Sequence, residues 1–356
     1  MNRRSLLLWL AAAPSPAALG AALPGAAVEL PTDFGAHPAA RTEWWYITGS
    51  LQDATRLWGF QVTFFRTGTG VPSGGSRFAP SELIFAHAAV TDLPHQRLRH
   101  DQRIGRSGFG IAGAARGDTD VTLRDWRLHR EHGPDGGSRY RAQVVSDSAG
   151  FTLDLRIGAT QAPLLQGVAG LSQKGPDPAD NSHYYSEPQL AVDGSLVLDR
   201  QPVRVTGRAW LDHEWSDAFI PHGAVGWDWV GMNLDDGSAL TVFRLRRGDG
   251  TALYAGGSFR RAGQASRPFL PEAVTMTPGR RWQSPGSHAS YPVQWQLDTP
   301  AGRFEVAALL DDQELDSRGS TGSIYWEGLS DLRDATGRRV GRGYLEMTGY
   351  AAALRL

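Results

Sequence analysis

The chain has 356 residues, 41% hydrophobic and 21% charged, which is enough apolar material for about two domains of roughly 100–200 residues each and excludes a disordered chain. The formal net charge is −1, so there is no basic footprint for DNA or RNA. Cysteine is absent, which removes disulfides, thiolate nucleophiles, cysteine-ligated zinc and iron–sulfur clusters. Lys174 is the single lysine among 36 basic residues, so wider Schiff-base chemistry is not expected. The 43 glycines and 21 prolines favour a turn-rich β protein, and 12 tryptophans are enough to wall a cavity as well as fill a core.

The N-terminus opens with Arg3-Arg4, followed by the apolar run from Leu6 to Ala11 and small residues through Ala27. This pattern reads as an export signal over residues 1–27, served by the twin-arginine or the general route. The competing reading is an uncleaved anchor, for which the apolar run is short. Export would place the mature chain in the periplasm or outside the cell. Without Arg3 and Arg4 the net charge moves from −1 to −3.

From residue 43 onward, apolar and polar residues alternate with period two. Phe151–Ile157, Val203–Thr206, Val293–Leu297 and Phe304–Val306 all follow this rule. Such alternation marks antiparallel sheets with one buried face. Asp-Gly turns at 135–136, 193–194, 236–237 and 249–250 suit hairpins. Residues 68–76 and 173–182 read as loops, and 261–290 as a long connection. The expected architecture is all-β, with two barrel-like domains over roughly 33–220 and 221–356. The boundary is expected near Phe219-Ile220-Pro221-His222-Gly223.

In chain order, Glu43-Trp44-Trp45-Tyr46 opens the first strand, with adjacent tryptophans on opposite sides. Glu43 and Trp45 are read either as a barrel anchor or as a pocket floor. His87, between small residues, is either a satisfied core histidine or a cavity residue. Tyr184-Tyr185 follows the loop that carries Lys174 and suits a pocket rim. The densest ionisable group is Asp212-His213-Glu214-Trp215. In a strand, Asp212 and Glu214 point one way and His213 and Trp215 the other. Two carboxylates on one apolar face suit proton transfer, unless they merely pair with arginines. Trp227-Asp228-Trp229, Tyr325-Trp326-Glu327 and the stretch from Gly341 to Tyr350 read chiefly as an interdomain seam. No metal-binding spacing, hydrolase elbow, phosphate loop or dinucleotide fingerprint is visible, so neither metal nor organic cofactor is expected.

Taken in order, Glu43-Trp44-Trp45-Tyr46, Phe85-Ala86-His87-Ala88, Tyr184-Tyr185-Ser186, Ala209 to Ser216, Gly226-Trp227-Asp228-Trp229 and Gly341 to Tyr350 resemble the AttH-like, or carotenoid 1,2-hydratase, superfamily. The resemblance spans about residues 33–356. It implies two packed lipocalin-like barrels and an apolar cavity for a terpenoid, polyketide or lipid. It also implies alkene hydration or cofactor-free cyclisation in some members. In others it implies a secreted protein of no assigned reaction, sometimes beside an ABC-transporter permease. The hydratases carry a His-x-Trp pair, matched by His213 and Trp215. They then carry a Tyr-x-Asp pair, whose positions here hold Phe243 and Leu245. An acid would therefore come from Asp212 or Glu214. In that scheme His213 or Tyr185 orients water, and Trp215, Trp45, Trp227 and Trp229 bind an isoprenoid or lipid. The rival readings are a non-catalytic carrier and a transporter-interaction protein with a filled barrel. The oligomeric state is not legible.

Overall fold

The computed structural model describes residues 27–71, 78–133, 136–218 and 220–354. The leader, Phe219 and most of the 68–76 loop lie outside these residues. Strands make up 60% and helix 3%, so the all-β expectation holds and the alternating runs do form sheets. Among the described residues the helices are three short 3-10 turns, Thr32–Phe34, Leu93–His95 and Pro271–Ala273. Among the described residues, no helix is long and apolar enough to cross a membrane.

The first sheet has 13 strands paired antiparallel. Its middle is Leu57–Gly68, Thr42–Gln52, Gln201–Ser216 and Asn181–Leu198, side by side. The first strand of the chain thus lies against the last of this sheet, which curls it into a nearly closed barrel. Closure shows where Gly105, on Arg97–Arg106, abuts Leu123: an added Cβ would lie 2.7 Å from its Cδ1. The interior is filled by Trp45, Ile47, Phe60, Val62, Phe64 and Leu211, among others.

The second sheet has 10 strands, with Ala239–Arg246, Gly226–Leu234, Arg339–Met347 and Ser323–Asp334 adjacent at its centre. Val230, Met232, Val242, Trp295, Leu345 and Met347 fill its core. The 261–290 segment is more ordered than its composition suggests. It contains the short strands Arg267–Pro268, Thr275–Pro278 and Arg281–Gln283. Only Met276 is buried in Thr275–Pro278, and so short an alternation is hidden among prolines and glycines. The 173–182 loop is narrower than expected, because Leu171–Gln173 and Asn181–Leu198 are strands.

The two sheets meet through their outer faces. Tyr46 and Trp210 of the first pack with Trp229, Phe243, Leu245, Leu329 and Tyr344 of the second. Fully burying each such side chain contributes about 1.5–3 kcal/mol. The fit is close at Gly59, where an added Cβ would lie 2.6 Å from Tyr344 Oη. Polar bonds also cross the seam. Asn233 Nδ2 donates to the Ala209 carbonyl at 3.0 Å, Ser258 Oγ to Gln166 Oε1 at 2.8 Å, and Gln61 Nε2 to Tyr325 Oη at 3.1 Å. Unpaired, these buried groups would each cost about 1–3 kcal/mol, so they fix one relative placement of the sheets.

Candidate active site between the two sheets

Strand register decides which side chains meet. Tyr46 stands opposite Asp212, and Trp44 opposite Glu214. On the other flank Ser186 pairs with Asp212 and Tyr184 with Glu214. Because side chains alternate, these residues share the outer face of the first sheet. The second sheet answers with Trp227 and Trp229, opposite Leu245 and Phe243. Glu346 pairs with Trp229 on one side and with Glu327 on the other.

Between these faces lies a cavity of about 110 Å³. Its walls are aromatic, from Trp44, Phe65, Trp227, Trp229 and Phe243. Its polar lining is unusual in carrying five carboxyl groups: Asp180, Asp212, Glu214, Glu327 and Glu346. Lys174 is the cation among the lining residues. Its Nζ lies 2.9 Å from Glu214 Oε1, 4.6 Å from the Tyr184 ring centroid and 4.7 Å from that of Phe243. Ser182 Oγ donates to the same Glu214 oxygen.

Among the described residues Asp212 has no cationic partner. Ser186 Oγ and Trp210 Nε1 each donate to its Oδ1 at 2.6 Å. Burial pushes its pKa up to about 7, against these neutral donors and with help from the Glu214 charge. Glu346 is likewise raised to about 7 by burial, with Asp212 and Glu214 adding repulsion. Glu327 is held well above the usual range by burial and by Glu346. Burial also raises Tyr46, Tyr184 and Tyr325 well above 10, so their hydroxyls stay protonated. Tyr46 and Glu327 bias each other's titration. Yet Tyr46 Oη and Glu327 Oε1 have no partner in hydrogen-bonding geometry among the described residues. Two polar atoms are thus left available at the cavity floor.

The remaining candidate residues lie elsewhere. His213, Trp215, Glu43, Trp45 and Tyr185 point into the first barrel, behind the same strands. His213 Nδ1 is 3.1 Å from Tyr185 Oη and its Nε2 2.9 Å from Glu43 Oε1, while Trp45 stacks on its ring at 4.7 Å. The expected joint action of Asp212 or Glu214 with His213 or Tyr185 on one guest is therefore not possible: a sheet separates them. For the same reason Trp45 and Trp215 do not wall the cavity. Burial pushes Glu43 up, but His213, His37 and Arg66 outweigh it and hold the carboxyl well below the usual range. Burial lowers His213 in spite of Glu43. His87 sits at the seam, with Nδ1 2.8 Å from Tyr325 Oη and Nε2 2.8 Å from Ser320 Oγ; burial drives its pKa down to about 3.

Neither carboxylate of the Asp212-His213-Glu214 run pairs with an arginine, and both face the cavity. Glu327 and Glu346 were legible only as parts of a seam. Their alternation with buried Trp326 and Met347 is the signal that turns them outward. Phe243 and Leu245 line the same cavity and make its wall apolar there.

The AttH-like family model matches residues 21–350. The chain belongs to the AttH-like family. An AttH protein of Nitrosomonas europaea has a crystal structure 44% identical to this chain, at a TM-score of 0.84, over 93% of this chain and 100% of that one. Kievitone hydratase from Nectria haematococca shares the fold at a TM-score of 0.69 and 18% identity, over 93% and 94% of the two chains. In sequence, this AttH-like chain is 24% identical to kievitone hydratase of Fusarium solani subsp. phaseoli, over 59% of each chain. It is 25% identical to the dehydratase AsqC of Emericella nidulans, over 45% of this chain and 46% of that one. The aligned part thus spans less than two thirds of both curated relatives.

Proposed function

We propose that this AttH-like protein is an acid–base catalyst that adds water to, or removes it from, an amphiphilic guest held between the two sheets. The observation that carries the reading is Asp212: a carboxyl buried in an aromatic-walled cavity, without a cation, that titrates at about 7. An acid with that pKa both holds and releases a proton near neutrality. Glu346 is raised to the same range, with the Asp212 charge among the causes, so one of the two can serve as acid while the other serves as base.

In the hydration direction, Asp212 protonates an alkene carbon. The positive charge rests against the faces of Trp44, Trp227 and Trp229, which attract cations. Glu346 takes a proton from the attacking water. Dehydration runs the same steps backward, with a hydroxyl protonated and a neighbouring C–H proton removed. The names of the two curated relatives, a hydratase and a dehydratase, support this reaction pair.

Five carboxyl groups and three tyrosines suit a guest that carries oxygen as well as hydrocarbon, such as a hydroxylated isoprenoid or a prenylated phenol. The proposal includes export to the periplasm, supported by the N-terminal arginine pair and apolar run, and an ABC-transporter permease as partner where one handles the same guest.

The test is incubation with a prenylated isoflavone and an acyclic carotenoid in ¹⁸O-water, read by mass spectrometry. We expect ¹⁸O in one product, and its loss in Asp212→Asn. No ¹⁸O from either substrate, together with a lipid that co-purifies equally with wild type and Asp212→Asn, would instead support a non-catalytic carrier.

A further inference from the structure

Behind the Asp212 face, from the first barrel's interior to the segment before its first strand, six side chains form a chain of contacts unused by the proposed reaction. His37 Nδ1 and His213 Nε2 lie 2.8 and 2.9 Å from one and the same atom, Glu43 Oε1. The three ligand-type atoms all lie within 4.8 Å of one another. His37 Nε2 is 3.3 Å from Asp33 Oδ1, and His213 Nδ1 is 3.1 Å from Tyr185 Oη. The other Glu43 oxygen accepts from Arg66 Nε at 2.7 Å. Residues 37, 43 and 213 are too scattered to show a metal-binding spacing in the sequence.

We propose that His37 Nδ1, Glu43 Oε1 and His213 Nε2 bind a divalent transition-metal ion of the zinc type, with water as the fourth ligand. Two imidazoles and a carboxylate are a sufficient protein ligand set for such an ion. Each imidazole has an outer oxygen partner on its far nitrogen, the arrangement that orients metal-ligating histidines.

Proton placement is compatible with the ion. Without it, His37 satisfies both carboxylates only as an imidazolium, donating from Nδ1 to Glu43 and from Nε2 to Asp33. With a metal on Nδ1, the single proton sits on Nε2 and is donated to Asp33. His213 is likewise metallated at Nε2 and donates from Nδ1 to Tyr185.

Charge points the same way. Glu82 Oε1 lies 3.3 Å from Arg66 Nη1, so Glu43 and Glu82 share one guanidinium while Asp33 faces His37, three carboxylates to one arginine in the cluster. With neutral imidazoles that is a formal −2, which a divalent ion cancels. The second sheet offers a contrast at its own first strand. Asp228 stands opposite Arg244, as Glu43 stands opposite Arg66. There Arg244, Arg246 and Tyr350 surround the acid, at 2.7, 3.3 and 2.9 Å, with no imidazole and a formal +1. A buried acid–arginine pair thus needs no histidines to be satisfied.

Geometry requires a small opening. Ligand atoms about 2.0 Å from a tetrahedral ion sit about 3.3 Å apart, so the two contacts to Glu43 lengthen by roughly half an ångström. His37 provides access, because its side chain is 21% exposed. Its ring is stacked on Trp215 at 3.7 Å with planes 6° apart, which holds its orientation.

The experiment is calorimetric titration of the untagged, chelator-stripped full chain with Zn²⁺, and separately with Co²⁺ followed by its ligand-field absorption. We expect saturation at one equivalent. His37→Gln should weaken Zn²⁺ binding about a hundredfold and Asp33→Asn about tenfold, while the exposed His95→Gln leaves it unchanged. No saturable binding by the wild type, or His37→Gln or Asp33→Asn binding Zn²⁺ as tightly as the wild type, overturns the site. Both substitutions lie at partly exposed positions outside the barrel strands, so either can decide if the other fails to fold.

Discussion

Glu43 and Asp212 lie on neighbouring strands, three register positions apart, and both are buried, yet their pKa values are shifted in opposite directions. Glu43 faces into the barrel, where Arg66 and two imidazoles hold it ionised. Asp212 faces the intersheet cavity, where its hydrogen-bond donors are a serine and an indole. Burial raises both carboxyls; the charge of the partners decides which keeps its proton. One sheet thus keeps a fixed anion on one side and a transferable proton on the other.

The largest effect should come from removing the cation on the inner side. Arg66→Met leaves Glu43 and Glu82 without their guanidinium and should cost about 3–5 kcal/mol, read as a drop in the urea midpoint. If stability is unchanged, partner charge is not what separates the two carboxyls. Next, Asp212→Asn should lower turnover by roughly 10²–10⁴-fold, the usual range for a positioned acid, and change the urea midpoint far less than Arg66→Met does. Equal losses of stability in the two variants would erase the difference between the faces.

Much of this arrangement was legible in the chain. Strict alternation placed Asp212 and Glu214 opposite His213 and Trp215. The Asp-Gly signals at 236–237 and 249–250 do separate strands, but Asp193-Gly194 lies inside Asn181–Leu198, where Gly194 admits the Asp154 carbonyl of the neighbouring strand, and Asp135 lies outside the described residues. The family resemblance supplied the paired barrels. What stayed hidden was long-range. The approach of Glu327 and Glu346 to Asp212 depends on how two sheets dock, and docking has no period in the sequence. His37 meets Glu43 and His213 because the loop before the first strand folds over the barrel, a contact no local spacing encodes. Lys174 stood out only by its rarity, and its place beside Glu214 comes from the loop that precedes Asn181.

The pH dependence separates the faces more finely. Asp212 and Glu346 keep protons to about pH 7 when folded, whereas unfolded carboxyls release them near pH 4. Between those values the folded state binds more protons, so this contribution to stability is complete at low pH and is lost as pH rises toward 7. The slope is at most about 1.4 kcal/mol per pH unit for each group. Glu43 has the opposite sign: its folded pKa is lowered, so its contribution holds above pH 4 and is lost as pH falls below it. Urea midpoints across pH 4–8 should therefore flatten in the Asp212→Asn, Glu346→Gln double variant. Persistence of the full wild-type slope would place the titrating groups elsewhere. The smallest effect is expected from Ser186→Ala, which removes one donor to Asp212 and should move the alkaline limb of the hydration profile up by about one unit.

Lys174 gives the cavity one further property. With no other side-chain amine in the sequence, an acylating dye can modify this protein only there and at the chain terminus. Its ammonium, 18% exposed, sits at the threshold of the chamber. Footprinting by a peptide map would then report occupancy directly: a seated guest shields that one amine, and an empty chamber leaves it open to tagging.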